Sequence, residues 1–368
     1  MKIINSNLPF LIIPFLVFLN LFVSWNYQEF LTPDSKTYIS IASQLPDIKN
    51  SIFPILYPFL LRTLNFATDD FLVSYKIINV FCLIFSFCFT YYKNFFWKQI
   101  WLILSFSSFL EIYLHAWSEN IMIPLLIALF YLHQAYLNDK ISNKKYLIFT
   151  ISVLMLQLLT KYNSLFILFS LALFAVFLKL NSNKKYVFII ISMLSTCVFF
   201  VIYIYLNKYL TGHFTGIRGI SNEMSFLKYT LLSLFNIPTT LEPYTFSFIK
   251  ILYQNPKSFW WKIPYLVSFI SFIFLLYLIL KKSKFSHFNF LCFITGFTFL
   301  VFSFISAYFT RIDVLNCRLL LGFSLPFLLG FIALYQNKLS EVKSLHLISI
   351  GCFSIIFHLI SVFNNGFT

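Results

Sequence analysis

Apolar runs too long for a soluble core recur along this chain, and they constrain its fold more than any other feature. Tyr186–Leu206 carries no charged side chain, and apart from tyrosines its only polar residues are Ser192, Ser195 and Thr196. A helix crosses about 30 Å of hydrocarbon in about 20 residues, so such a run is long enough to span a bilayer. The runs are continuously apolar and do not alternate with period two, which implies helices and not a barrel. Composition agrees: 60% of residues are hydrophobic, 11% are charged and 51 are Phe, against about 45–50% apolar and about 25% charged in soluble domains. The expected fold is therefore all-α, a polytopic membrane helical bundle.

About eleven transmembrane helices are expected, at roughly 8–25, 71–91, 97–115, 119–137, 146–159, 162–180, 186–206, 263–280, 287–307, 319–336 and 345–363. The first is read as an uncleaved anchor. Lys2 and the run after it also fit a signal peptide, but no small-x-small site follows and the run exceeds the usual h-region. The fifth, Tyr146–Leu159, is short, and a re-entrant hairpin with the sixth is its alternative.

Charge orients the bundle. With the N-terminus inside, the inner segments hold Lys2, Lys93, Lys98, Lys140, Lys144, Lys145, Lys179, Lys184, Lys185, Lys281, Lys282, Lys284, Lys338 and Lys343, with Asp139 and Glu341 as their acids. Short inner loops rich in Lys are what the positive-inside rule requires. The net charge of +15 is thus mainly a topology signal, and no nucleic acid is expected as a partner. Arg62, Arg218, Arg311 and Arg318 all fall on the outer side. Arg presents a bidentate fork suited to phosphate, which Lys does not.

The chain reads as a single integral membrane domain, 1–368, with two long outer segments at 26–70 and 207–262 and no internal repeat. Trp25, Trp117, Trp260 and Trp261 lie at outer span ends, where an aromatic belt is expected. In the first outer loop, Pro33-Asp34-Ser35 opens a helix with Tyr38, Ile41, Ala42 and Leu45 on one face, an amphipathic interfacial pattern. A second helix starts near Pro54, and Phe226–Ile237 and Tyr244–Tyr253 form similar stretches in the second loop, so short helices are expected to roof the outer face. The cysteines show no Cys-x-x-Cys pair, which gives neither a disulfide framework nor a zinc knuckle. His133, His346 and His358 are expected to be structural, while His115 and His213 lie on the outer side within reach of substrate. No cofactor is expected. No metal site follows from residue spacing, and a divalent ion is left open.

The outer side offers Glu29, Asp34, Glu111, Glu119, Lys161, Arg218, Arg311, Asp313 and Arg318, each near a helix end. Asp34 reads either as an N-cap of the following helix or as a proton acceptor, and the roles are compatible. Glu119 opens the fourth span, as a solvated helix-start acid or a site residue. Lys161 sits alone in a short outer turn, Thr160-Lys161-Tyr162-Asn163, where a phosphate partner or snorkelling accounts for it. Arg318, in Asn316-Cys317-Arg318-Leu319-Leu320, is a snorkelling anchor or a phosphate ligand.

Thr32-Pro33-Asp34-Ser35-x-x-Tyr38-x-x-Ile41-Ala42, followed by Ile55-Leu56-Tyr57-Pro58-Phe59-Leu60-Leu61, resembles the first outer loop of GT-C glycosyltransferases. The protein-O-mannosyltransferase and aminoarabinose-transferase type is the most similar. Ser118-Glu119, the Lys161 turn and Arg318-Leu319-Leu320 are similar in order and placement, so the resemblance runs over roughly residues 1–330. It implies a GT-C-like fold and a polyprenyl-phosphate sugar donor. The acceptor would be a lipid, glycan or protein. It further implies Asp34 as catalytic base, with Tyr38, Tyr57, Glu119, Lys161, Arg218, Arg311 and Arg318 binding substrate. The implied location is a bacterial plasma membrane, N-terminus cytoplasmic and active face outward. Ser35 stands directly after Asp34, where some relatives carry a second acid. Two other functions compete: a polysaccharide polymerase or ligase acting on polyprenyl-diphosphate glycans, and a lipid-linked sugar flippase or transporter. The placement of ionisable residues near span ends, away from the midplane, argues against ion-coupled transport.

Overall fold

The computed structural model describes residues 8–27, 30–47, 53–215, 225–253, 262–282, 284–309 and 314–365; among these it contains helices and no strand. A 3₁₀ turn at Leu8–Leu11 leads into α1 (Ile12–Tyr27). After it come α2 (Pro33–Gln44) and α3 (Leu56–Thr68), and then α4 (Phe71–Tyr92). Next come α5 (Trp97–Leu104), α6 (Ser107–Leu114), α7 (Glu119–Leu137) and α8 (Asn143–Thr160). A second 3₁₀ turn, Tyr162–Ser164, enters α9 (Leu165–Leu180), and α10 (Tyr186–Thr211) completes the first half. The segment after it holds α11 (Phe226–Thr239) and α12 (Thr245–Tyr253). The chain then forms α13 (Ile263–Leu280), α14 (His287–Phe309), α15 (Leu321–Leu334), α16 (Gln336–Glu341) and α17 (Ser344–Asn365).

Among the described residues, 8 helices are long and apolar enough to cross a membrane. They coincide with the expected first, second, fourth, sixth to ninth and eleventh spans. The expected fifth is one continuous helix of 18 residues. The tenth is a helix of 14 residues entered by a turn. The third is broken into two helices of 8 residues each. The break falls in Ser105-Phe106-Ser107-Ser108, whose hydroxyls compete with the backbone ladder. The Ser107 N–H donates to the Pro243 carbonyl (2.8 Å), and the Ser108 hydroxyl donates to the Thr240 carbonyl (3.3 Å), so the α11–α12 connection satisfies the broken turn. An eleven-span count therefore requires α8, the α5–α6 pair and α15 to cross as well.

Burial sorts the helices. In α7, 78% of the most apolar window is buried, against 17% in α10 and 11% in α13. Those two helices expose large aliphatic side chains such as Val198 and Leu266 along their outer faces. A face of that kind is stable against hydrocarbon and not against water. The protein is an integral, multi-pass membrane protein. At its centre, α14 and α15 approach closely because Gly296, Gly322 and Gly330 line their contact. A Cβ on Gly322 would lie 2.3 Å from the Phe299 ring.

The roof over the bundle is protein-packed. The apolar face of α2 is buried: Tyr38 and Ala42 join Tyr57 and Leu61 of α3, Tyr75 and Ile78 of α4, and Ala116 and Ile121 in one cluster. That contact fixes the start of α2, and Asp34 with it, above the start of α7.

Candidate active site

The α2 helix is capped by Thr32, whose Oγ1 accepts the Ser35 N–H at 3.2 Å, and Pro33 occupies the first helical turn. The capping role left open for Asp34 thus falls to Thr32. The Asp34 carboxylate is free to turn outward and forms an ion pair with Nη1 of Arg318. Arg318 lies in the turn before α15, and its Nε sits 3.6 Å from Oε1 of Glu119. Glu119 begins α7, where the helix N-terminus favours a carboxylate, and it accepts a hydrogen bond from Nζ of Lys161. Lys161 ends α8 in extended backbone, with its N–H donated to the Gln157 carbonyl at 2.9 Å. Asp34, Arg318, Glu119 and Lys161 therefore form one chain of alternating charge.

Exposure falls along that chain from Asp34 to Glu119 and rises again at Lys161. The side chain of Asp34 is 33% accessible and that of Glu119 is 3%. Isolated charges at such depth are costly, and the pairing offsets that cost. Burial draws the Lys161 ammonium below the ordinary lysine value; Glu119 opposes the fall and Arg318 adds to it. Burial also pulls on Arg318, but Glu119 and Asp34 outweigh it and raise the guanidinium. Glu119, Lys161, Arg318 and Asn163 face a narrow cleft of about 10 Å³ whose other walls are apolar: Met122, Leu126, Phe299, Leu321 and Gly322.

Tyr38 touches this network from behind. Its hydroxyl is 2.8 Å from Oγ of Ser118, and that hydroxyl donates to Oε2 of Glu119 at 3.4 Å. Burial, with Glu119 next, pushes the Tyr38 phenol far above its ordinary value, so it remains a donor. Tyr57 is fully buried, edge-on to Tyr38 at 5.0 Å, and its hydroxyl has no hydrogen-bond partner among the described residues. Both tyrosines back the first loop and present little surface to the cleft. Arg62 lies apart from these contacts, over the Phe66 ring at 4.8 Å. Glu29, Arg218, Arg311 and Asp313 lie outside the described residues.

A second polar cluster lies close by. Glu111 on α6 meets Nε2 of His115 (3.1 Å), Nζ of Lys250 on α12 (2.6 Å) and Nε2 of His358 on α17 (3.6 Å). His358 also contacts Asn20 at 3.1 Å. His115, expected within reach of substrate, is buried in this cluster and stacks on Trp117 at 4.1 Å.

Three kinds of residue escaped the sequence reading. Thr32 was legible as Thr-Pro, an N-cap followed by Pro at the first helical position. Trp117 is buried and serves as a platform beneath Arg318, 5.0 Å from its guanidinium carbon. Asn79 donates to the carbonyls of Tyr113 (2.8 Å) and His115 (3.0 Å), and Asn120 to those of His115 (2.9 Å) and Trp117 (3.0 Å). They pin the turn that carries Trp117 and Ser118. The signal for Asn79 was a lone amide in an apolar span, which needs an internal partner.

No family model and no curated protein matches the chain. A solved structure does: the crystal structure of ArnT from Cupriavidus metallidurans bound to undecaprenyl phosphate, with a TM-score of 0.61 and 8% sequence identity. The match covers 97% of this chain and 77% of that one. At this identity the likeness is one of fold: the chain shares the polytopic helical fold of that ArnT structure.

Proposed function

We propose that this protein is a membrane glycosyltransferase that moves a sugar from a polyprenyl-phosphate donor to an acceptor hydroxyl on a lipid, glycan or protein, with Asp34 as base. The observation that carries the proposal is the junction of Asp34, Arg318, Glu119 and Lys161, the last three of which line a narrow cleft with otherwise apolar walls. A lipid phosphate needs both parts, cations for the head group and apolar wall for the tail. The fold neighbour was crystallised with undecaprenyl phosphate, which supports this donor class. The Lys-rich inner loops support a cytoplasmic N-terminus and an active face turned outward, and on the same reading the membrane is a bacterial plasma membrane.

The chemistry follows from charge. Arg318 holds Asp34 before substrate arrives. A donor phosphate competes for the guanidinium and releases the carboxylate. Asp34 then takes the proton as the acceptor oxygen attacks the anomeric carbon, whose bond to the phosphate oxygen breaks. Arg318 and Lys161 stabilise the charge on the departing lipid phosphate, the electrostatic contribution that dominates such transfers. Inversion at the sugar carbon follows from single displacement. Glu119 holds the two cations at the cleft, and Tyr38 steadies Glu119 through Ser118.

The test is transfer by purified protein in nanodiscs, assayed with a panel of polyprenyl-phosphate sugars. Asp34→Asn is expected to lower the rate about 10²–10⁴-fold while leaving expression and insertion unchanged. Full activity in that variant would remove Asp34 from the mechanism.

A further inference from the structure

Trp117 joins every part of the site that has to be aligned. Its indole N–H donates to Oγ1 of Thr32 at 2.8 Å, the atom that caps the Asp34 helix. Its ring lies under the Arg318 guanidinium at 5.0 Å. His115 also stacks on it at 4.1 Å in a near-parallel arrangement of 17°. His115 is itself held at both ring nitrogens, by the Phe30 carbonyl (3.1 Å) and by Glu111 (3.1 Å). The backbone is equally constrained: Asn120 accepts no freedom in this turn, since its amide donates to the His115 and Trp117 carbonyls. A belt tryptophan would face lipid headgroups, whereas Trp117 is 7% exposed and its N–H is spent inside the protein.

We propose that Trp117 is a positioning residue for the lipid-phosphate site: its ring holds Arg318 at the cleft, and its N–H ties that cation to the helix carrying Asp34. A guanidinium over an indole face is attracted by the ring quadrupole, more strongly when the pair is desolvated. That attraction is independent of charge neutralisation by Asp34. It keeps Arg318 in place when a phosphate displaces the carboxylate, the step at which an arginine held only by ion pairs would follow its new partner. His115, held by Glu111, packs on the same ring and braces it.

The proposal rests on the function proposed above, and the experiment separates the two. Binding of undecaprenyl phosphate to the full-length protein in nanodiscs is measured for wild type, Trp117→Leu, Trp117→Phe, Arg318→Gln and the double variants, alongside transfer. Trp117→Leu is expected to weaken binding about tenfold and Trp117→Phe about threefold, because Phe keeps a weaker ring face. In the Arg318→Gln background either change is expected to cost less than about twofold, since contacting residues are not additive. A merely structural tryptophan would lower the unfolding midpoint and the amount of folded protein, with the same fractional loss in both backgrounds. Folded Trp117→Phe that binds as wild type, or a loss that persists in full beside Arg318→Gln, would overturn the positioning role alone. Wild type that binds no undecaprenyl phosphate would overturn the donor class and the positioning role together.

Discussion

Arg318 serves two carboxylates at once. Its Nη1 engages Asp34 and its Nε faces Glu119, so the net charge of the trio stays negative until Lys161 is counted. Adding the lysine makes the resting site neutral, and a phosphate entering it meets two cations already placed. The lysine is the titratable member of that pair. Its charge is present below its pKa and lost as pH rises, and burial has brought that loss below the ordinary lysine range. The alkaline limb of transfer is therefore expected to fall earlier than a free lysine would dictate. Lys161→Arg, which stays charged, is expected to move that limb to higher pH; an unchanged limb in the pH profile would exclude Lys161. At this scale the residue types were readable in the sequence but their partners were not. Asp34 and Arg318 stand far apart in the chain, and no local pattern says that one closes on the other.

Helix contacts decide where these groups meet. Arg318 and Gly322 belong to the turn and first residues of α15, and Gly322 lets that end press against Phe299 of α14. Gly322→Ala puts a methyl group into the ring and is expected to cost about 1–3 kcal/mol by overpacking. Thermal unfolding in detergent should show the lowered midpoint, and Phe299→Leu should recover part of it. An unaltered midpoint in Gly322→Ala would mean that α14 and α15 are not held this closely. Element existence was largely legible: the apolar runs at 71–91, 119–137, 186–206, 263–280 and 287–307 became helices with similar bounds. The failure at 97–115 is instructive. Hydropathy averages over a span and is blind to a break whose backbone groups are satisfied from elsewhere, here by Thr240 and Pro243.

For the whole molecule, the proposed orientation rests on the Lys-rich short loops. On that assignment the ion network, Lys161 included, lies at helix ends on the outer face. A cysteine replacing Lys144 is expected to react with a membrane-impermeant thiol reagent only from the cytoplasmic side, and one replacing Thr68 only from outside. Reversed labelling would place the cleft in the cytoplasm and change the donor leaflet. Long-range assembly was the part hidden from the sequence, because side-chain type reports solvent preference and not which helices become neighbours. Four segments converge on the cleft: the first outer loop, the start of α7, the α8–α9 turn and the start of α15. Their meeting depends on packing among helices of nearly uniform apolar composition, where one greasy face matches many others.

The most direct measurement is a density map of the protein with a polyprenyl phosphate bound. The account predicts the phosphate within hydrogen-bond reach of Arg318 and Lys161, the tail along Met122, Leu126 and Phe299, and the Asp34 carboxylate released from the guanidinium. A phosphate lodged elsewhere, with the Asp34–Arg318 pair intact, would contradict it.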